Sequence, residues 1–428
     1  MAANQQSAAS LAGEAGSGFR HSCRRFAIYA DLTIVGLFIF LYSAIAGGVE
    51  RTPVTGPIVF TAFGIVVGPI GLGWLNLDVD SEGLRTLAEL TLALVLFTDA
   101  ANADLSVLSK SRRIPERLLF IGLPLTIVLG FGVGVLLFPG LGMLEIAILA
   151  AILAPTDAAL GKAVVTNAAV PADVREGLNV ESGLNDGICV PIVLALLALA
   201  TGAEQYRLGF SLRFFAEAIG IGMAVGVTLA VAGAWLLRLC EGRGWVTETW
   251  RQLPVVALSF SCFAVAQELG GSGFIAAFVG GLSFGALARR EKHRLLLAAE
   301  GTGDTLALFT WVVFGSGVVG QVVGYFSWTV LIYAVLSLTL IRMLPVYLSL
   351  VGLPVRPAAK LFIGWFGPRG LASIVFGILV LDANLPGGGT LIVTVVCTIV
   401  LSILLHGLTA NPFADALARA ARRGQGYT

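Results

Sequence analysis

Apolar stretches long enough to cross a bilayer alternate with short polar connections along nearly the whole chain. Thirteen such segments are predicted, at 26–46, 54–70, 84–102, 117–138, 144–166, 175–200, 209–238, 251–268, 271–289, 302–322, 326–350, 359–382 and 388–411. A hydrocarbon core of about 30 Å takes about 20 helical residues. Backbone in lipid must satisfy its own N–H and C=O groups, which makes each segment a helix. The expected fold class is therefore an all-α polytopic membrane protein of about 13 transmembrane helices. Residues 1–25 are rich in Ala, Ser, Gly and Gln and read as a disordered N-terminus. Residues 26–412 read as the transmembrane domain, and 413–428 as a cytoplasmic tail too short for a regulatory module.

Composition agrees. Of 428 residues, 57% are hydrophobic and 12% charged, with mean hydropathy +0.90, whereas a soluble domain carries about 25% charged residues. A net charge of +1 without a basic block gives no footing for nucleic acid. The five cysteines and three histidines are scattered, so neither a disulfide frame, a zinc site nor a serine–histidine hydrolase is supported. Nothing implies a cofactor.

Lys and Arg set the orientation. Arg113, Arg117, Arg175, Arg238, Arg243, Arg251, Arg294, Arg356, Lys360, Arg419, Arg422 and Arg423 fall on one side if the span count is odd, and Asp78 and Asp80 on the other. This puts the C-terminus in the cytoplasm and the N-terminus outside, in a plasma (inner) membrane protein. Arg20, Arg24 and Arg25 oppose that placement. Cleavage after Ala44-Ile45-Ala46 would reverse every basic loop, so the first span is read as retained. Lys162 and Arg342 read as side chains snorkelling to the interface.

Two spans carry breakers at their centres: Ala154-Pro155-Thr156-Asp157 in the fifth and Gly367-Pro368-Arg369-Gly370 in the twelfth. Proline removes a backbone hydrogen bond and glycine loosens the helix. Freed backbone groups survive at membrane depth only where protein or a wet cavity satisfies them. With residues 26–200 and 251–411 as inverted six-helix repeats and 209–238 as linker helix, the interrupted spans become partners. Interruptions at matching positions of two halves point to a transporter's binding site.

The sixth span adds Glu181, Ser182, Asn185 and Asp186. The i, i+4 spacing puts all four on one helix face. A charge at that depth costs about 2.5 kcal/mol or more, which marks a functional site. At 1.5 Å per residue, Asp157 lies roughly 18 Å from the outer end of its span, and Asp186 and Arg369 roughly 16 Å from their inner ends. All three charges share the mid-membrane level, where they offset one another.

Together, Thr156-Asp157, Glu181-Ser182-Gly183-Leu184-Asn185-Asp186 and Gly367-Pro368-Arg369-Gly370 resemble the monovalent cation/proton antiporter superfamily, in its NhaP-type sodium/proton exchanger branch. The resemblance implies that Asp186 binds cation and proton alternately, with Thr156, Ser182 and Glu181 in or beside the ion site, and Asp157, next to Thr156, is read as a further ion-binding residue. It also implies a supporting polar link of Glu181, Asn185 and Arg369, electroneutral one-for-one exchange and a homodimer. Two departures stand out. Ala158 follows the Thr-Asp pair and Pro155 precedes it, which shifts the break. Asp99 takes the place of the family's span-three glutamate as an accessory carboxylate.

The expected function is exchange of Na+, or K+ or Li+, for H+. Hard oxygen ligands from Asp186, Ser182 and Thr156 suit such an ion, and Arg369 would hold Glu181 ionised. Glu300 and Asp304 read as an N-terminal cap or part of an ion funnel. Gly301-Thr302-Gly303-Asp304 also matches an intramembrane aspartic protease pattern, but the Tyr-Asp partner motif is missing, so no enzyme is expected. An organic-anion symporter and a cation channel are the alternatives on a similar scaffold.

Overall fold

The computed structural model describes residues 29–75 apart from 50, 51 and 53, then 82–103, 113–157, 160, 164, 170–202, 208–288 and 292–423. The expectations for residues 1–25, Lys162, Asp78 and Asp80 lie outside the described residues. Every regular element within them is helical.

In chain order these are α1 (Tyr29–Val49), α2 (Gly56–Val67), α3 (Glu82–Asn102) and α4 (Arg113–Leu137, with a π turn at Leu118–Gly122). Next come α5 (Met143–Ile152), α6 (Ala172–Gly202), α7 (Leu208–Gly242), α8 (Pro254–Glu268) and α9 (Gly273–Leu287). Then follow α10 (Lys292–Val313, running on through a π turn at Phe314–Val318), α11 (Trp328–Ser349, broken at Thr339), α12 (Pro357–Trp365), α13 (Leu371–Asp382) and α14 (Gly388–Arg423). Six of the described helices are long and apolar enough to cross a membrane unaided. Shorter apolar helices include α5 and α13, the pieces flanking the interruptions.

Local chemistry sets the ends. Ser272 caps α9 by accepting Ile275 N–H at 3.3 Å, and Ser327 caps α11 by accepting Val330 N–H at 3.3 Å. Glu145, in the first turn of α5, accepts Gly142 N–H at 2.8 Å and also Gly387 N–H at 2.6 Å. One buried carboxylate thereby fixes the start of α5 to the turn before α14.

The helices pack in two groups. In one, α3 and α7 hold α9 between them, with α2, α8 and α10 alongside. Gly281 and Gly285 of α9 sit so close to the Phe97 and Ala101 backbone of α3 that a Cβ would overlap it. α1 leans on α2 through Phe38 and Tyr42 against Phe60. In the other group, α5 packs on α4 and α6, and α14 on α11 and α13. The groups meet where Gly183 of α6 abuts Asp99 of α3, Gly187 abuts the Phe278 ring of α9, and Arg85 pairs with Asp382 at 2.5 Å.

Candidate functional site

The break in the fifth segment begins earlier than its proline. α5 stops at Ile152, before Leu153, Ala154 and Pro155, and Thr156 and Asp157 continue in non-helical backbone. The second break runs from Phe366 to Gly370, between α12 and α13. The two interruptions touch directly: Asp157 N–H donates to Pro368 C=O at 2.8 Å. Each break thus satisfies a backbone group that the other frees.

Side chains complete the accounting. The Asp157 carboxylate accepts Leu371 N–H at 3.0 Å and Leu160 N–H at 3.4 Å, so a negative charge sits on the positive end of α13. A Cβ on Gly370 would overlap that carboxylate, which explains glycine there. The Ser373 hydroxyl donates to Ile152 C=O at 2.8 Å, at the end of α5.

The polar face of α6 lies against this crossing. Thr156, Glu181, Ser182, Asn185 and Asp186 are all buried, Asp186 at 7% exposure. Ser182 Oγ donates to Thr156 C=O at 2.5 Å, and Asn185 Nδ2 donates to Thr156 Oγ1 at 2.7 Å. The Asp186 carboxylate, one turn from Ser182, lies within electrostatic range of Asp157, Asp99 and Arg369. Asn185 Oδ1 is buried with no hydrogen-bond partner among the described residues. The result is a cluster of oxygen atoms on Asp186, Ser182, Thr156, Asp157 and Asn185 (two carboxylates, hydroxyls, an amide and a carbonyl). Such a set suits a hard cation or a proton. Among the described residues, no group of three or more His, Cys, Asp or Glu could hold a metal ion through those side chains.

The expected link of Glu181, Asn185 and Arg369 takes a different form. Glu181 pairs with Arg342, whose Nη1 and Nη2 lie 2.7 and 2.8 Å from its two carboxylate oxygens, both side chains being 1% exposed. Asn185 turns instead to Thr156. Arg369 is fully buried, but its guanidinium donates to carbonyls: Gly367 at 2.8 Å, Pro155 at 3.4 Å and Ser337 at 3.5 Å. The physical reason is position. Arg369 sits inside the break, beside carbonyls that two interrupted helices leave free, and those claim its donors. Arg342 does not snorkel. It lies about 12 Å from the end of its predicted span, too deep to reach water, and the break at Thr339 precedes it on α11.

The accessory carboxylates line one flank. Asp99 of α3 lies within electrostatic range of Asp157, Asp304 and Glu300. Glu300 accepts Asn102 Nδ2 at 2.5 Å, joining α10 to α3, and Asp304 is exposed. Both acids lie within α10, beyond its first turn, so the capping role expected for them does not hold.

Sequence reading missed Arg342, Ser402 and His406. Arg342 carried the same signal as Asp186, a charge deep in an apolar run. Ser402 and His406 are an i, i+4 polar pair inside the last span. Ser402 Oγ accepts Arg369 N–H at 2.7 Å, and His406 lies 2.8 Å from Trp365 C=O and 3.1 Å from Ser402 Oγ.

Residues 36–416 match the family described as sodium/hydrogen exchanger, transmembrane. Among curated proteins, the chain is 25% identical over 361 residues to the K(+)/H(+) antiporter NhaP2 of Shewanella sp. (strain ANA-3), covering 83% of this chain and 62% of the relative. It is 26% identical over 391 residues to the K(+)/H(+) antiporter NhaP of Alkalimonas amylolytica, covering 90% and 66%. It is 24% identical over 368 residues to the Na(+)/H(+) antiporter 2 of Zygosaccharomyces rouxii, covering 79% and 44%. The chain therefore spans less than two thirds of the length of these relatives. Its fold matches that of the sodium proton antiporter MjNhaP1 from Methanocaldococcus jannaschii at pH 8, with TM-score 0.77 and 21% identity over 92% of this chain and 99% of that one. The family match runs from within α1 to near the end of α14, through both interruptions and the polar face of α6, and on that match the chain belongs to the sodium/hydrogen exchanger family.

Proposed function

We propose that this protein is a secondary transporter that exchanges a monovalent cation for H+ across a membrane, with both ions competing for Asp186. One observation carries the reading: the Asp186 carboxyl is buried beside two interrupted helices whose backbones bond to each other. A carboxylate in such a place holds a proton or a cation, because an uncompensated buried charge is too costly. Ser182, Thr156 and Asp157 supply further oxygens near it. The cation expected from the residues was Na+. K+ and Li+ were the other candidates, the relatives are named for K+ or for Na+, and oxygen donors serve either.

If only Asp186 cycles, one positive charge moves each way and exchange is electroneutral. Access then alternates as one helix group moves against the other around this fixed site. The reading also includes thirteen spans arranged as two inverted repeats, 26–200 and 251–411, about the 209–238 linker. It places the protein in the plasma (inner) membrane with a cytoplasmic C-terminus and external N-terminus, as a homodimer.

Purified protein in liposomes with an entrapped pH dye tests this. An outward proton gradient should collapse on adding Na+ or K+, with equal initial rates with and without a valinomycin-type voltage clamp. No cation-dependent proton flux would refute exchange, and a rate that follows the clamped voltage would refute electroneutrality.

A further inference from the structure

The second interruption is closed by residues outside it. α12 ends with Trp365 C=O, which has no N–H four residues on to accept and takes the Gly367 N–H inside the break at 2.8 Å. α13 begins beyond Arg369, whose N–H precedes the first helical turn. Both groups are met by one face of α14. His406 Nε2 lies 2.8 Å from Trp365 C=O, and Ser402 Oγ lies 2.7 Å from Arg369 N. His406 Nδ1 lies 3.1 Å from Ser402 Oγ, closing the gap between the two contacts. Both side chains are buried, Ser402 at 0% and His406 at 2%.

The hydrogen positions follow from the partners. Trp365 C=O only accepts, so Nε2 carries a proton and donates to it. Ser402 Oγ accepts the Arg369 N–H. Arg369 N–H donates to the Ser402 hydroxyl, His406 Nε2–H donates to Trp365 C=O, and Ser402 and His406 touch each other on α14. This set spans the break from one half-helix to the other. Nδ1 lies 2.9 Å from Ser402 C=O and 3.1 Å from Ser402 Oγ, both on its own helix one turn back. Trp365 is itself held by its indole N–H on Thr409 Oγ1 at 2.9 Å, one turn further along α14.

We propose that Ser402 and His406 are positioning residues for the exchange site: they fix the width of the α12–α13 break and, through it, the placing of Asp157 and Thr156. The route is short. Pro368 C=O accepts Asp157 N–H, Leu371 N–H holds the Asp157 carboxylate, and Thr156 holds Ser182 and Asn185. Loosening the break spreads those oxygens over more positions, so a cation must order them on binding. The inference rests on the exchange reading above.

The test is cation-dependent proton flux in liposomes containing wild type, His406→Leu, His406→Gln, Ser402→Ala or Asp186→Asn. His406→Leu should raise the half-saturating cation concentration about fivefold, the size of one lost hydrogen bond, with a smaller change in maximal rate. His406→Gln can still donate to Trp365 C=O and should fall within about twofold of wild type. Ser402→Ala should raise half-saturation in the same direction, and Ser402→Ala with His406→Leu should cost less than the two changes combined. An unchanged half-saturation in a folded His406→Leu protein, or a fall in maximal rate alone, would overturn the positioning role. So would equal loss in His406→Gln and His406→Leu. If His406→Leu does not fold, Ser402→Ala carries the test by the same criterion: an unchanged half-saturation overturns the positioning role. Wild type without flux refutes the exchange reading. Wild type with flux and Asp186→Asn without it leaves that reading standing, whatever His406 does.

Discussion

Arg342 and Glu181 meet through two contacts, at 2.7 and 2.8 Å, between helices whose sequence positions are 161 residues apart. A planar guanidinium facing a carboxylate is the strong form of an ion pair. The pair is buried, and removing one partner strands the other. Arg342→Ala or Glu181→Ala should each lower stability by about 3–5 kcal/mol. The double variant should cost much less than the sum. Thermal unfolding in detergent reads this directly. Additive losses would refute the pairing, and a stronger coupling of Glu181 to Arg369 than to Arg342 would restore the partner first expected from the sequence.

The fit of Gly370 to Asp157 gives a second test. Gly370→Ala should disrupt the crossing and remove nearly all exchange, because its methyl has to displace the carboxylate that holds the start of α13. Gly301→Ala on α10 is the contrast. It has open space around it and should gain up to about 1 kcal/mol from better helix propensity. Wild-type flux in Gly370→Ala would show that the crossing is looser than its geometry implies.

Asp186→Asn is expected to abolish proton–cation exchange while leaving the fold intact. An amide keeps the size and the hydrogen bonding but carries no charge to titrate. Everted vesicles with a ΔpH-sensitive dye provide the measurement. Dequenching by Na+ or K+ at the wild-type level would remove Asp186 from the mechanism.

Glu145 should matter for stability rather than for ion choice. Its carboxylate accepts two backbone N–H groups, Gly142 and Gly387, and hydrogen bonds to a charged group contribute about 1.5–3 kcal/mol each. Glu145→Ala should therefore melt several degrees lower, and Glu145→Gln should recover part of the loss. The cation concentration at half-maximal flux should stay within about twofold in both, since no ligand of the proposed site is touched. A change in half-saturation without a change in melting would reverse this assignment.

The two interruptions were legible because Pro155 and the Gly367-Pro368-Gly370 set each stand beside a charge inside an apolar run; proline alone is no such signal, since Pro191, Pro345 and Pro412 lie within continuous helices. The shared face of Glu181, Ser182, Asn185 and Asp186 was legible for the same kind of reason: helical period is fixed by local geometry. The start of the fifth break was not. α5 ends at Ile152, three residues before Pro155, and the Ser373 hydroxyl, 221 residues away, takes its terminal carbonyl.

Pairing was the other matter that local pattern left open. Arg342 and Arg369 are equally deep and equally charged in the sequence, and spacing gives no reason to give Glu181 to one of them. The chain by itself determined that its apolar segments are helical, that two of them are interrupted and which residues carry charge inside apolar runs, since these depend on neighbours within a few residues. Which arginine meets the carboxylate, and that Ser402 and His406 close the second break, was decided by the crossing of distant segments. Hydrogen bonds between those segments select partners by distance and direction, and neither is written in the order of residues.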